Sequence, residues 1–476
     1  MNKLNDNYQV TGTTAQRFLE EIRDISARTE YPVVNPADVC LLSFKKKTET
    51  KENNEIKKTY IFYMISRPDL ANMENYGSGF RQVPCVLMTK NGKDTPRIEL
   101  MEEIIRVSGL MLVYIDKNGN SVYNGVSGLA LKTLCKRAGV PGDRIYDKSL
   151  WRDVYIADGL LPKRPGNDDP EAVEKYERML GENIKFVVRH NAEYKNGKMK
   201  LQKIGMIIGV FAQTYNESGM KILADIYNEV RTEGKMGRVK VTDWEISQDR
   251  AYVHMEFPDA AEAFAEKYGL KSKLIPGITI TTSDCGLSSL SVAGTYRDDG
   301  YKGMTIVNEY TRKHVGAFTF RNIMPRVNKD ILDKFEAFPK AMGKLMETKI
   351  SEKSLKTEAG HQDYKNRMNT AITNAFGQFD VSKSIGKKRV DTLKEVIADH
   401  VGEYEECTLY DVAEAFMNLE DLLEIYDLHG LGETAHELLT RSLARVPETD
   451  FFKSSGKRRK AAKPVTPELE NLGEVV

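Results

Sequence analysis

A chain of 476 residues with 70 Lys+Arg against 69 Asp+Glu carries a formal net charge of +1, so no global field draws it to a polyanion or marks it as acidic disorder. At 41% hydrophobic residues it has material for a sizeable core, and its length suggests about three domains. No apolar run reaches the roughly 18 residues of a membrane-spanning helix, and residues 1–18 lack the apolar stretch of a secretory signal.

Phe18, Leu19, Ile22 and Ile25 recur at helical spacing within 16–28, which predicts a short amphipathic helix. Residues 39–44 and 59–65 are rich in β-branched and aromatic side chains and read as strands. The lysine-rich stretch 45–58 between them reads as a polar loop, a solvated hairpin tip. A further strand covers 83–88 before the turn pair Asn91-Gly92. A helix is expected over 98–108 and a strand over 110–116. Lys117–Asn120 supplies a hairpin turn because Asn-Gly tolerates positive φ. Asp116, Asn118 and Asn120 do not make a calcium loop, since Ser127 stands where the bidentate Glu belongs.

Residues 128–139 form a helix that ends in glycine, and a second helix follows over 150–160. The stretch 162–170 has three prolines, a glycine and charges, the composition of a linker. Beyond it, strands at 184–190, 200–212, 239–246 and 251–257 alternate with helices near 217–231 and over 259–268. Strands near 278–282, 290–296 and 304–308 complete a mainly antiparallel sheet. Strands that arrive in hairpins with helices between them indicate the α+β class.

From 321 the pattern turns helical. Val327, Ile331, Phe335, Phe338, Met342, Leu345 and Met346 keep one stripe, with a kink expected at Pro339. Met368, Ala371, Ile372, Ala375, Phe376 and Phe379 keep another, and helices follow at 390–401, 408–426 and 431–445. Thr408 and Asp411 have the spacing of a capped first turn. The expected organisation is therefore an α+β region over 1–161, a central α+β domain over 171–320, a helical layer over 321–446 and a disordered basic tail over 447–476.

Five scattered cysteines, at 40, 85, 135, 285 and 407, form no CxxC pair and fit free thiols in a reducing cytoplasm. The seven histidines complete no metal set, and no Walker loop, dinucleotide fingerprint, HExxH, GxSxG or kinase signature is present. Neither a cofactor nor a metal is expected. The sharpest charge feature is the tail: Lys457, Arg458, Arg459 and Lys460, flanked by Lys453 and Lys463, with no acid among them. Such a run either neutralises phosphates without sequence preference or serves as a solubilising tail.

Residues 276–292 run Pro-Gly-Ile-Thr-Ile-Thr-Thr-Ser-Asp-Cys-Gly-Leu-Ser-Ser-Leu-Ser-Val, followed by Arg297, Asn308 and the run Arg312, Lys313, His314, Val315, Gly316. This pattern resembles the phage- and plasmid-type family of unknown function numbered 932. Its helix ending in a small-Gly-Ile-Pro step is similar to 130–141, and its late helix to 408–416; Thr282 stands where that family usually has Asn. The resemblance implies a mobile-element origin. The loop Ser283, Asp284, Gly286, Ser288 and Ser289 is read either as a local turn or as an anion-binding loop, with Arg297, Arg312 and Lys313 as neighbouring cations. These features together lead to an expected non-enzymatic, cytoplasmic nucleic-acid-binding protein acting on single strands in replication or recombination. The alternative is a self-assembling structural or host-interaction protein, a homo-oligomer built on the helical portion.

Overall fold

The alternating and helical patterns are realised in a computed structural model that describes residues 8–65, 81–90, 96–148, 152–157, 168–298, 304–350, 357–377 and 408–411, with short interruptions at 54, 138–139, 155, 197, 218, 249, 272, 287 and 316–317. Gln9–Gly12 (β1) leads into Ala15–Ala27 (α1), which buries Phe18, Ile22 and Ile25. Thr29–Glu30 (β2) and Val33–Val34 (β3) precede two long strands, Val39–Glu52 (β4) and Glu55–Ile65 (β5). Arg81–Lys90 (β6), Pro96–Val107 (α2), Leu110–Ile115 (β7), Ser121–Val126 (β8), Gly128–Arg137 (α3) and Pro170–Gly181 (α4) follow. Next come Ile184–Arg189 (β9), Ala192–Lys195 (β10), Lys198–Leu201 (β11) and Gly205–Ala212 (β12).

One sheet of nine strands runs β2-β9-β12-β8-β7-β4-β5-β6, with β3 also on β9. Its pairings are antiparallel except β12 with β8. It is buried on both faces because successive side chains point opposite ways. Leu41, Leu112 and Val126 pack with Leu131 and Leu134 of α3, whereas Leu42, Phe62 and Met111 pack with Met101 and Ile104 of α2.

The second half supplies Lys221–Glu233 (α5), Lys240–Ser247 (β13), Ala251–Glu256 (β14), Pro258–Tyr268 (α6), Leu274–Thr282 (β15), Leu290–Asp298 (β16) and Met304–Arg312 (β17). Phe320–Asp330 (α7), Ala337–Glu347 (α8) and Glu358–Gly377 (α9) complete the described helices. The six-stranded sheet β1-β13-β14-β15-β16-β17 is antiparallel throughout. Trp244, Ile246, Val253, Ile278, Ile280 and Val292 form one buried face against Phe18 and Ile22 of α1, Leu223 and Ile226 of α5, and Ile323 and Val327 of α7. Fully burying each such side chain contributes roughly 1.5–3 kcal/mol.

The chain is of the α+β class, as its hairpin pattern indicates. The two sheets do not divide at the proline-rich stretch. β9 and β12 return from beyond it to the first sheet, while β1 and α1 belong to the second. Among the described helices, none is long and apolar enough to cross a membrane.

Several local readings change. The stretch expected as a loop over 45–58 is strand, paired from Lys46↔Ile61 out to Glu52↔Glu55, because cross-strand pairing satisfies the backbone where the side chains alone suggested solvent. The expected kink at Pro339 is absent: Pro339 lies in the first turn of α8, where no backbone donor is lost, and the stripe breaks at the turn Leu332–Lys334 instead. The strand expected over 200–212 is two, β11 and β12. β8 and α4 carry no expectation from periodicity. The Thr408–Asp411 cap is present, with Thr408 N donating to Asp411 Oδ2 (2.6 Å) and Asp411 N to Thr408 Oγ1 (3.4 Å). The expected helices at 390–401 and 431–445, the remainder of 412–426, and the Asn91-Gly92 turn lie outside the described residues.

Candidate functional site: a buried ionic joint and an exposed basic ribbon

Strand β9 reads Ile-Lys-Phe-Val-Val-Arg and is buried along its whole length, so its two cations need partners inside the protein. Arg189 is 0% exposed and finds them on the other sheet. Its Nη1 donates to Gln248 Oε1 (2.7 Å) in the β13–β14 turn, and its Nη2 to Asp284 Oδ2 (3.1 Å) just after β15. Lys185 donates to the Tyr215 carbonyl (2.6 Å) and to Glu217 (3.2 Å). One guanidinium therefore ties the two sheets together.

A chain of neutral hydrogen bonds runs beside this pair. Tyr215 Oη donates to the Asp284 carbonyl (3.3 Å), which leaves its oxygen to accept from His314 Nδ1 (3.2 Å). His314 Nε2 then accepts from Thr282 Oγ1 (2.9 Å). This sequence of donors assigns the Nδ1–H tautomer of a neutral imidazole. Burial lowers the His314 pKa to about 4. Burial also raises the Asp284 carboxyl, against the pull of Arg189 and of the Met220 N–H. Burial first, then the Asp284 charge, push the Tyr31 and Tyr215 hydroxyls well above their ordinary range, so both remain protonated.

Two segments singled out in the sequence thus converge, 282–286 and 312–315. Asp284 is 2% exposed and turns inward, where it is itself the anion that Arg189 holds. Ser283 Oγ lies 3.1 Å from Cys285 Sγ and accepts from the Cys285 N–H (3.3 Å). Ser288 Oγ is buried without a hydrogen-bond partner, and Ser289 is half-buried. Gly286 has φ +75°, and a Cβ there would stand 2.5 Å from Phe211, whose ring stacks on Tyr215 at 3.9 Å. Gly286→Val is therefore expected to cost roughly 1–3 kcal/mol of stability, read from urea unfolding midpoints. An unchanged midpoint would contradict this packing account.

No family model, curated protein or solved structure matches this chain.

The expected cations do not all reach this joint. Arg297 lies at the far end of β16, seven positions and roughly 23 Å along the strand from Leu290. It grips Glu256 through Nε (2.7 Å) and Nη2 (3.0 Å). Gly277 of β15 lies between their strands and leaves the space; a Cβ there would come within 3.0 Å of Met255, Thr295 and His254 atoms. Although burial opposes it, the hydrogen bonds from His254 and Arg297 hold Glu256 down at about 2. Arg312 pairs in register with Leu290 at the near end of β16 and is half-buried, and Lys313 is exposed. Lys457, Arg458, Arg459 and Lys460 lie outside the described residues.

A second place carries charge outward. Beyond Phe44 the β4–β5 ribbon emerges from the core, and 45–52 are exposed. Its register puts Lys46, Thr48 and Thr50 of β4 opposite Ile61, Thr59 and Lys57 of β5, all on the face turned away from α2. A bulge between Phe44 and Lys46 frees Lys45, whose Nζ lies 4.8 Å over the Tyr63 ring on that same face. The opposite face is neutralised in part: Lys47 and Lys58 reach Glu102 of α2 at 2.9 and 3.4 Å, and Tyr60 donates to the same carboxylate (2.9 Å). Lys46, Lys51 and Lys57 make no ion pair among the described residues.

Sequence reasoning overlooked Arg189, Gln248, Tyr215 and Lys185. The available signal was two cations inside an apolar strand with no amphipathic alternation, which calls for buried partners. Cys135 and Cys285 are buried free thiols and Cys40 a half-buried one; burial pushes Cys40 and Cys135 up to about 11, which leaves them poor nucleophiles.

Proposed function

We propose that this is a non-enzymatic nucleic-acid-binding protein of phage or plasmid type, working in the cytoplasm of a bacterial host. The observation that carries the reading is the outer face of the β4–β5 ribbon, where Lys45, Lys46 and Lys57 stand beside threonine hydroxyls with no carboxylate paired to Lys46 or Lys57. Cations held on a rigid sheet neutralise phosphates without reading bases, and binding is driven by counterion release. The acids on this face, Glu52 and Glu55, are confined to its tip. The cationic run 453–463 would add to the same effect, and the likeness of 276–292 to a phage and plasmid family supports the origin.

The joint supports this reading as a structural anchor. Its ionisable groups are consumed by one another, and among the described residues no group of three or more His, Cys, Asp or Glu side chains converges as a metal site would require. With the full-length protein, the affinity for a labelled oligonucleotide is expected to fall by roughly two orders of magnitude between about 50 and 200 mM salt if some four phosphates are neutralised. Fluorescence anisotropy measures this. Absence of binding at the lower salt would end the proposal.

A further inference from the structure

We infer that the ribbon takes a single strand across its outer face rather than entering a duplex groove, and that Tyr63 is the residue on which a base stacks. This rests on the nucleic-acid reading above and adds the substrate class and the surface.

Width is the first argument. A two-stranded ribbon fits the major groove of a duplex, which is roughly 12 Å wide. Here β6 pairs with β5 along its whole length, from Met64↔Arg81 to Glu55↔Lys90, so the element is three strands wide. Its outer strand axes are roughly 10 Å apart before any edge side chain is added, too broad for that groove. A strand lying flat across the sheet meets no such limit.

Chemistry is the second. From Tyr63 the same face of β5 continues through Ile61, Thr59 and Lys57, a path of roughly 20 Å, with Lys46, Thr48 and Thr50 alongside. Aromatic, apolar and hydroxyl groups come first and a cation follows, with Lys45 over the ring and Lys46 beside Ile61. Bases of any identity stack on an aromatic ring while cations track the backbone, which is how sheets hold single strands without sequence preference. Duplex DNA keeps its bases stacked inside and leaves such a ring no role.

The test uses the full chain with labelled single-stranded DNA, single-stranded RNA and the matched duplex, followed by anisotropy at about 50 mM salt. Single strands are expected to bind at least tenfold more tightly than duplex, and comparing DNA with RNA identifies the natural class. Tyr63→Leu is expected to weaken single-strand binding roughly tenfold and leave duplex binding unchanged, while Tyr63→Phe, which keeps the ring, retains it. Lys46→Gln with Lys57→Gln is expected to weaken binding severalfold and flatten its salt dependence, whereas Lys51→Gln, on the opposite face, does neither. Duplex bound as tightly as single strand, or Lys51→Gln matching the Lys46/Lys57 pair, overturns this inference but leaves the protein a nucleic-acid binder. Failure to bind any of the three oligonucleotides removes both.

Discussion

Asp284→Ala is expected to destabilise the folded protein by about 3–5 kcal/mol, because it leaves the guanidinium of Arg189 buried and uncompensated between the two sheets. Arg189→Met should cost a similar amount by stranding the carboxylate, and it also removes the bond to Gln248. The joint predicts more than two large numbers. Transferring both charges out of water opposes their attraction, so replacing the two together, Arg189→Met with Asp284→Leu, should cost less than either change alone. Urea unfolding of the three variants measures the coupling. Purely additive costs would mean that the two side chains do not interact as drawn, and the inter-sheet clamp would have to be abandoned.

Acid should weaken the protein through His314 before it reaches most carboxylates. Its folded pKa, about 4, lies below the ordinary value of 6.5, so between the two the unfolded chain binds the extra proton. The neutral imidazole therefore contributes stability that is complete above about pH 6.5 and is lost as pH falls toward 4. By about pH 4.5 the loss is roughly 2.5 kcal/mol. Glu256, held near 2 against 4.5, has the same sign in a lower window, losing its contribution as pH falls from 4.5 toward 2. Asp284 and Asp153 run the other way, since burial raises both and a raised carboxyl favours the folded state as pH falls. They are common to the wild type and His314→Gln, so the difference between the two proteins isolates the imidazole. Unfolding free energies at about pH 7 and 4.5 should fall less steeply in His314→Gln. Parallel pH profiles would show that His314 is not the group lost first.

Much of the local structure was legible because it depends on neighbours in the chain. The stripe of Phe18, Ile22 and Ile25 marks α1, and the apolar positions of 278–282 and 290–296 mark β15 and β16. Asn118 and Gly119 close the β7–β8 turn, where Asp116 Oδ1 accepts from the N–H groups of Asn118 and Asn120 at 2.8 Å each. The stretch 45–58 misled for a physical reason. Its polarity describes side chains that face water on both sides, and a strand projecting from a core has that composition as readily as a loop.

The site was legible only in part. Asp284, Gly286 and His314 stood out by residue type and motif, yet their partners Arg189, Gln248 and Tyr215 carry no local mark that names them. Arg297 stood out too, and its location next to the 283–289 loop in sequence said nothing of the strand length that separates them or of Glu256, which binds it.

By itself the amino-acid order determined the α+β character, the helical stripes after 320 and the cap at Thr408, because hydrophobic period, turn propensity and capping act over a few residues. Tertiary structure alone decided that β9 and β12 cross to the first sheet and that β1 joins the second. It also decided that Arg189 meets an acid 95 residues away and that the lysines of 45–58 share one flat face with Tyr63. Those outcomes depend on which surfaces bury each other and on strand register, and neither is encoded within a local window.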